Sequence, residues 1–460
     1  MKYIQRIFVV LFFCIILLPI FAFNFTEGAI SEIDNRELAA LPSIEDVADI
    51  DSYPTLIENY ISDRIGFRDD IILQYALLND KAFDLMVHPM YMYGKDGHVY
   101  TKRFAEKIPE TDHYMAFAHL IKQMQEYCYE RGVPFIFVFT PTKHSVVTEY
   151  IPDGINVSHD WVDQFIAELE RLGVNYVDNT KTMLELYQQG ECVFNKKYDS
   201  NHWSDLGAFY GTNAILSKLH EDMPAIIPND MNDFDQETNI MESLLVSEFP
   251  INEEVLEIKS KHADDFMDFT YPMKDEIEHH PSYGYYIDLV NPNKPEDEFP
   301  RVMALHGSHY MGNSKLYFAE AFHEFIGIHN YENAVNFPYY YNIFKPDYVV
   351  FEFCEHTVFD TFKTEEMWNI EFSPTLEHAC ASMEYDVTDV LSSADIVVEE
   401  GEALTKIIWH NTVPVENAWL YCDAEDDEYD MIRTEDGYEA TMRTEIYHKN
   451  NGQFPLLPNR

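Results

Sequence analysis

An uncharged stretch, Ile7–Phe23, follows Lys2 and Arg6 at the N-terminus. As a helix it would span about 26 Å, close to the hydrocarbon thickness of a bilayer. Basic residues ahead of it predict an orientation with the N-terminus inside and the rest of the chain outside. Residues 1–25 are therefore expected to anchor the chain in a membrane. A cleaved signal peptide is the alternative, although Phe23-Asn24-Phe25 lacks the small residues a cleavage site needs. Apolar positions between Tyr53 and Asp84 recur at helical spacing with a break at Gly66, so residues 26–105 read as a largely helical lead-in. Near its end, Tyr93–Tyr100 reads as a turn between two short strands, because Asp96-Gly97 supplies the required positive φ.

Beyond residue 105 the pattern changes to short apolar runs alternating with amphipathic segments. Helices are predicted over Met115–Arg131, Trp161–Leu172, Leu206–Leu219 and Ser314–Phe325, and strands over Pro134–Thr140, Val174–Val177, Arg301–Leu305 and Tyr348–Phe353. Runs such as Phe135-Ile136-Phe137-Val138-Phe139 lack polar alternation, as strands covered on both faces do. Strands alternating with helices predict a parallel sheet between two helical layers, with active residues on loops past the carboxyl ends of the strands. The candidate loops are Pro141–Ser145, Gly307–Met311 and Cys354–Thr357. A very acidic, aromatic stretch over 235–300 interrupts the pattern and reads as an insertion over the sheet. Residues 381–460 carry short strand candidates, Ile396–Val398, Ile407–Trp409 and Trp419–Tyr421, and read as a small β-rich module. The division expected is anchor 1–25, lead-in 26–105, catalytic domain 106–380 with its insertion, and C-terminal module 381–460.

The chain has 31 Lys+Arg against 81 Asp+Glu, a formal charge of −50. That excess speaks against binding nucleic acid, which needs a basic face to displace counterions. Aromatic residues make up 15%, which speaks against disorder. The six cysteines have no CxxC spacing, and one of them, Cys14, lies in the apolar run. A zinc ribbon or thioredoxin site is thus not expected. The carboxylates of Asp423–Asp430 lack the glycine and ligand spacing of a calcium loop and read as solvated. His279-His280 reads as a solvated loop, and a metal site from His306, His309 and His356 is a minor alternative, since no His-x-x-x-His pair accompanies them.

Two segments carry candidate chemistry. Ser308, in His306-Gly307-Ser308-His309-Tyr310, sits between a buried strand and a helix, where neighbouring backbone N–H groups could stabilise an oxyanion. It could equally serve only as a helix cap. Asp199-Ser200-Asn201-His202-Trp203 places an acid three residues before a histidine, a pairing that can orient a base, although an isolated loop histidine is often structural. A hydroxyl, a base and an orienting acid together would allow acyl transfer.

The order of motifs resembles the DHHW proteins and the alginate O-acetyltransferases of the AlgX/AlgJ type, which are circularly permuted SGNH-hydrolase-like proteins. The resemblance spans about residues 31 to 360. Glu32–Leu38 with Leu41-Pro42 is similar to the family's entry motif, and Ser62–Asp69 to its D-R-F-P-F-R segment. Tyr93–Gly97 resembles the GKDGWLF turn. Phe139–Lys143 followed by Glu149–Pro152 resembles P-x-K-x-x-x-Y-x-E-x-L-P. Tyr198–Ala208 resembles D-x-H-W-x-x-x-G-A, and Pro346–Val350 with Glu355 resembles the late strand before E-R. The resemblance implies an α/β fold with a three-layer, SGNH-hydrolase-like parallel sheet, circularly permuted. It implies Ser308 as nucleophile, His202 as general base and an Asp of the same motif as orienting acid.

The chain departs from the family at three places. Ser200 stands where the family has Asp, which leaves the acid between Asp199 and Asp205. His306 stands two before the serine where the family has Gly, and His356 follows the Glu where Arg is usual. The implied activity is O-acetyl transfer to a hydroxyl of a cell-surface or secreted polysaccharide. The implied donor is a multi-pass membrane acyltransferase, and no cofactor is required. Trp203, Tyr310 and Lys143 are the candidate substrate-binding residues, with Tyr339-Tyr340-Tyr341 as further candidates for sugar stacking. A carbohydrate acetylesterase with the same residues, or a non-catalytic polysaccharide-binding or scaffolding component, remain alternatives.

Overall fold

The computed structural model describes residues 2–459 except 32, 34–35, 44–52, 103–107, 156–157, 246–248, 279–284, 331–332, 359–360, 383–395 and 412–414. His279-His280 and parts of the entry motif fall outside the described residues. The chain begins with helix α1 (Lys2–Phe21), the one described helix long and apolar enough to cross a membrane. Helices α2 (Tyr53–Arg64) and α3 (Arg68–Phe83) follow, broken at Gly66 as the periodicity predicts. Strands β1 (Tyr91–Tyr93) and β2 (Val99–Thr101) form the antiparallel pair around the Asp-Gly turn.

The main architecture is mixed α/β. Its elements in chain order are α4 (Thr111–Glu130), β3 (Phe135–Thr140), α5 (Asp160–Leu172), β4 (Tyr176–Asp178), α6 (Asn179–Gln188), α7 (Asp205–Asp222), the long hairpin β5 (Phe234–Ser243) and β6 (Pro250–Ser260), then β7 (Met267–Asp268), β8 (Tyr286–Val290), β9 (Arg301–His306), α8 (Ser314–Ala319), β10 (Glu324–His329), α9 (Phe337–Phe344) and β11 (Tyr348–Cys354). One seven-stranded sheet has the order β4-β3-β11-β9-β10-β8-β7. Its first five strands are parallel, and β8 and β7 close one edge antiparallel.

Successive side chains of each central strand enter opposite cores. Phe135, Phe137 and Phe139 join Met303, Leu305, Val349, Phe351 and Phe353 under α4, α5 and α9. Ile136 and Val138 join Val302, Ala304, Tyr348 and Val350 under α7, α8 and the hairpin. These strands are largely apolar because both faces are covered.

Three expectations are corrected. The acidic stretch is not only a cover over the sheet: β5–β6 is a separate hairpin packed on it, but β7 and β8 are strands of the sheet itself. The helix expected to run to Phe325 stops at Ala319, and Glu324–His329 is a fully buried strand. The Asp423–Asp430 run is not simply a loop, since Asp427–Asp430 is a strand and Asp430 is buried. The C-terminal residues build two small antiparallel sheets. One holds β12 (Ile396–Glu400), β13 (Leu404–Trp409), β16 (Ile432–Arg433) and β17 (Tyr438–Arg443). The other holds β14 (Asn417–Cys422), β15 (Asp427–Asp430) and β18 (Leu456–Asn459).

Candidate active site

The three candidate loops meet past the carboxyl ends of β3, β9 and β11. Ser308 stands just beyond β9, at the start of one short helical turn, Ser308–Tyr310. Its Oγ lies 2.7 Å from His202 Nε2. The other imidazole nitrogen, Nδ1, lies 2.7 and 2.8 Å from the two oxygens of Asp199. Ser308, His202 and Asp199 are partly exposed, while Gly307, His309 and Tyr310 beside the serine are buried. The site is thus open at the reacting atoms and closed around them.

The loop before α7 makes this geometry from local parts. Ser204 caps the helix: its Oγ accepts from Gly207 N–H and donates to the Cys192 carbonyl. Asp199 has φ +46°, a left-handed conformation that Asp tolerates better than most residues. That turn brings the carboxylate back to its own third neighbour, where it also accepts from the backbone N–H of His202. Asp205, the other candidate acid, faces away. It accepts from Ile258 N–H and from Asn313.

The approach to Asp199 is braced from the hairpin. Glu253 of β6 accepts from three successive backbone N–H groups, those of Lys196 at 2.7 Å, Lys197 at 2.8 Å and Tyr198. The buried Lys143 amine donates to the carbonyls of Val99 and Lys196, tying the β1–β2 turn to the same loop. Burial pushes its pKa down to about 7 against the pull of Glu253. Lys143 is therefore a buried fastening whose amine is taken up by backbone carbonyls.

Trp203 and Tyr310 are not stacking platforms. Both are buried, as are Tyr339, Tyr340 and Tyr341. Trp203 lies across α7, where any Cβ on Gly211 would stand 2.5 Å from the indole. Its Nε1–H donates to the His309 carbonyl, so it braces the serine turn. Their aromatic character reads as a binding face in sequence, but the packing here consumes it.

Several groups at the site carry no motif signal. His309 packs edge-on to His202 with ring centres 4.6 Å apart. Burial and the neighbouring His202 and His356 hold it well below the ordinary imidazole pKa, so it is a neutral wall. Glu352, in the middle of apolar β11, is fully buried and accepts from Gly307 N–H at 2.8 Å. Burial pushes its pKa up to about 7. His306, where the family has Gly, is also buried, and burial lowers it to about 4. The N–H groups of Tyr310 and Met311 donate to the Gly307 and Ser308 carbonyls within the turn, while that of Gly307 donates out of it to Glu352.

Burial works against the charged form of His202, but the Asp199 charge and hydrogen bond, with Glu352 beyond, outweigh it and raise the pKa. On the other flank, Glu355 accepts from Thr142 and Ser145 and faces His144 and His159. Burial opposes its charge, but His144, Ser145 and Thr142 draw its pKa down to about 2. It clamps the loop after β3 to the end of β11. Cys354 Sγ lies 2.9 Å from His356 Nδ1 and 3.7 Å from His309 Nε2. Among the described residues no group of three or more His, Cys, Asp or Glu could hold a metal, and Cys14, Cys128, Cys192 and Cys422 form no disulfide.

Residues 92–256 match the family model described as the SGNH hydrolase-like domain of acetyltransferase AlgX. That segment includes Lys143, Asp199 and His202 and ends before Ser308. No curated protein matches the chain. Similar solved structures include Bacillus cereus PatB1 with a sulfonyl adduct, at 14% identity over 61% of this chain and 97% of that one, TM-score 0.46. The O-acetyltransferase domain of Pseudomonas putida AlgJ matches at 16% identity over 61% and 99%, TM-score 0.42. Pseudomonas aeruginosa AlgX matches at 10% identity over 80% and 90%, TM-score 0.40.

Proposed function

We propose that the chain is an O-acetyltransferase, held outside the cytoplasm by α1 as a membrane anchor, that acetylates hydroxyls of a cell-surface or secreted polysaccharide. The observation that carries this reading is the unbroken relay from Ser308 Oγ through His202 to Asp199 past the carboxyl end of β9. The match of residues 92–256 to an acetyltransferase family supports the acyl group.

In the proposed reaction His202 Nε2 takes the Ser308 proton as Oγ attacks the acetyl carbonyl of the donor. The imidazolium returns that proton to the departing donor group, leaving acetyl-Ser308. A sugar hydroxyl then loses its proton to His202 and attacks the acetyl carbon. The proton returns to Oγ and frees the serine. Asp199 holds the imidazole tautomer and stabilises its charge. Water in place of the sugar would give an esterase with the same residues, so the distinction rests on how the cleft holds sugar and excludes water. A multi-pass membrane acyltransferase is the donor this reading expects.

The test uses the full chain and an activated acetyl ester such as p-nitrophenyl acetate. An acetyl adduct should map to Ser308 by mass spectrometry and be absent from Ser308→Ala. Equal turnover and no adduct in either protein would instead favour a binding or scaffolding role.

A further inference from the structure

Among the described residues the apolar surface of α2 and α3 has no partner, and its position is set by α1. The joint between them is tight. The N–H of Gly66 donates to the Pro19 carbonyl in α1, and the N–H of Asn24 to the Arg64 carbonyl. A Cβ on Gly66 would stand 2.4 Å from Ala22. The buried Arg64 guanidinium donates to the carbonyls of Asn24, Thr26, Leu38 and Ala39, and Phe23 packs on Tyr60. The α2–α3 corner is thus fixed at the end of the membrane-crossing helix.

From that corner α3 exposes Ile71, Tyr75 and Leu78, at 57%, 57% and 63% of their surface. Their spacing places them on one helix face. Phe67 precedes them, and Phe83, the last residue of α3, and Leu85 just past it are exposed as well. Besides Asp70, Gln74 and Lys81, the exposed positions of α3 are all apolar. One cation cannot hold an anionic surface, so attachment here would come from apolar insertion.

We propose that α3 lies flat in the membrane interface, its Ile71–Tyr75–Leu78 face in phospholipid, as a second and non-spanning contact. The inference rests on α1 staying in the bilayer, not on the acetyl-transfer reading. It places the chemistry close to lipid. The opposite face of α3, Leu73, Ala76 and Leu77, packs in one cluster with Tyr91, Val99 and Tyr198. Tyr198 precedes Asp199, so roughly one helix diameter, about 10 Å, stands between the bilayer and the loop that carries the acid. A donor group emerging from the membrane would meet the site at headgroup level.

The full chain is reconstituted into phosphatidylcholine vesicles, with or without brominated acyl chains, carrying Ile71→Trp, Leu78→Trp or, as a control on α7, Tyr210→Trp. The added emission at 71 and 78 should fall at least about two-fold with brominated lipid, and the control should not change. Quenching at 71 alone would mean that α3 stands away from the membrane and would overturn the inference. No quenching in chains that float with the vesicles would also overturn it and leave the anchor intact. Shielding that depends on protein concentration and not on lipid would assign the face to a second copy and overturn it. Chains that fail to float would overturn the anchor and the seat together.

Discussion

At the scale of single residues, the proposed chemistry depends on a carboxylate one position further from its histidine than the family pattern. The left-handed turn at Asp199 closes that gap, which is why Asp199 and not Asp205 reaches the imidazole. Asp199→Asn keeps the shape and removes the charge, so kcat should fall by about 10³–10⁴. His202 must be neutral to accept the serine proton, and Asp199 raises its pKa. Activity should therefore be lost as pH falls through a value above the ordinary 6.5. In the variant this acid limb should move to lower pH, read from the pH profile of kcat/KM. Glu352 gives a second test. Its folded pKa of about 7 exceeds the ordinary 4.5, so the folded state keeps a proton that the unfolded chain has already lost. Stability then falls as pH rises through that window and does not recover above it. Glu352→Gln should stabilise the protein by up to about 3 kcal/mol near pH 8 and leave it unchanged near pH 4, measured by urea unfolding. The serine and the histidine were legible as short motifs, and the acid was narrowed only to Asp199 or Asp205. Glu352 was not, because one acid inside an apolar strand resembles an ordinary break in the pattern.

At the scale of elements, legibility followed the punctuation of the sequence. The α2–α3 break, the β1–β2 turn and the end of α5 each coincide with a glycine, and each was placed correctly. The turn Glu320–His323 has neither glycine nor proline, so the apolar spacing of Phe318, Ala321, Phe322 and Phe325 continued a helix that the structure ends at Ala319. The missed strand contains Gly327, where a Cβ would stand 2.7 Å from the His306 ring, so the residue that looks like a strand breaker is the one that fits. The acidic hairpin shows a different limit. Its charges read as part of an insertion over the sheet, yet Glu253 gathers the three N–H groups that lead into Asp199. Glu253→Ala should release that loop and lower kcat roughly ten- to a hundredfold through misplacement of Asp199, with KM little changed. Glu253→Gln, which keeps an acceptor oxygen, should recover much of the loss in steady-state assays.

At the scale of the whole molecule, the C-terminal sheets are joined to the main sheet on the side away from the chemistry. Arg131, between α4 and β3, donates to both oxygens of Asp430 at 3.0 and 2.9 Å, and Tyr127 donates its hydroxyl to the same carboxylate. The guanidinium stacks on the Tyr127 ring at 3.6 Å. Asn342 of α9 exchanges hydrogen bonds with the Asp430 backbone, and Lys345 pairs with Asp427. Residues 131 and 345 precede β3 and β11, so this joint lies at the amino ends of the strands, whereas Ser308 lies past the carboxyl end of β9. Removing the guanidinium leaves the buried Asp430 charge without its cation, which costs far more than the pair contributes when intact. Arg131→Ala should therefore destabilise the fold by roughly 3–5 kcal/mol in urea unfolding. Adding Asp430→Asn should restore part of the loss by removing the stranded charge. Because the joint sits at the opposite end of the strands, the kcat of the folded single variant should match wild type. A fall in kcat at constant stability would mean that the C-terminal sheets act on the site itself and are more than a covering layer.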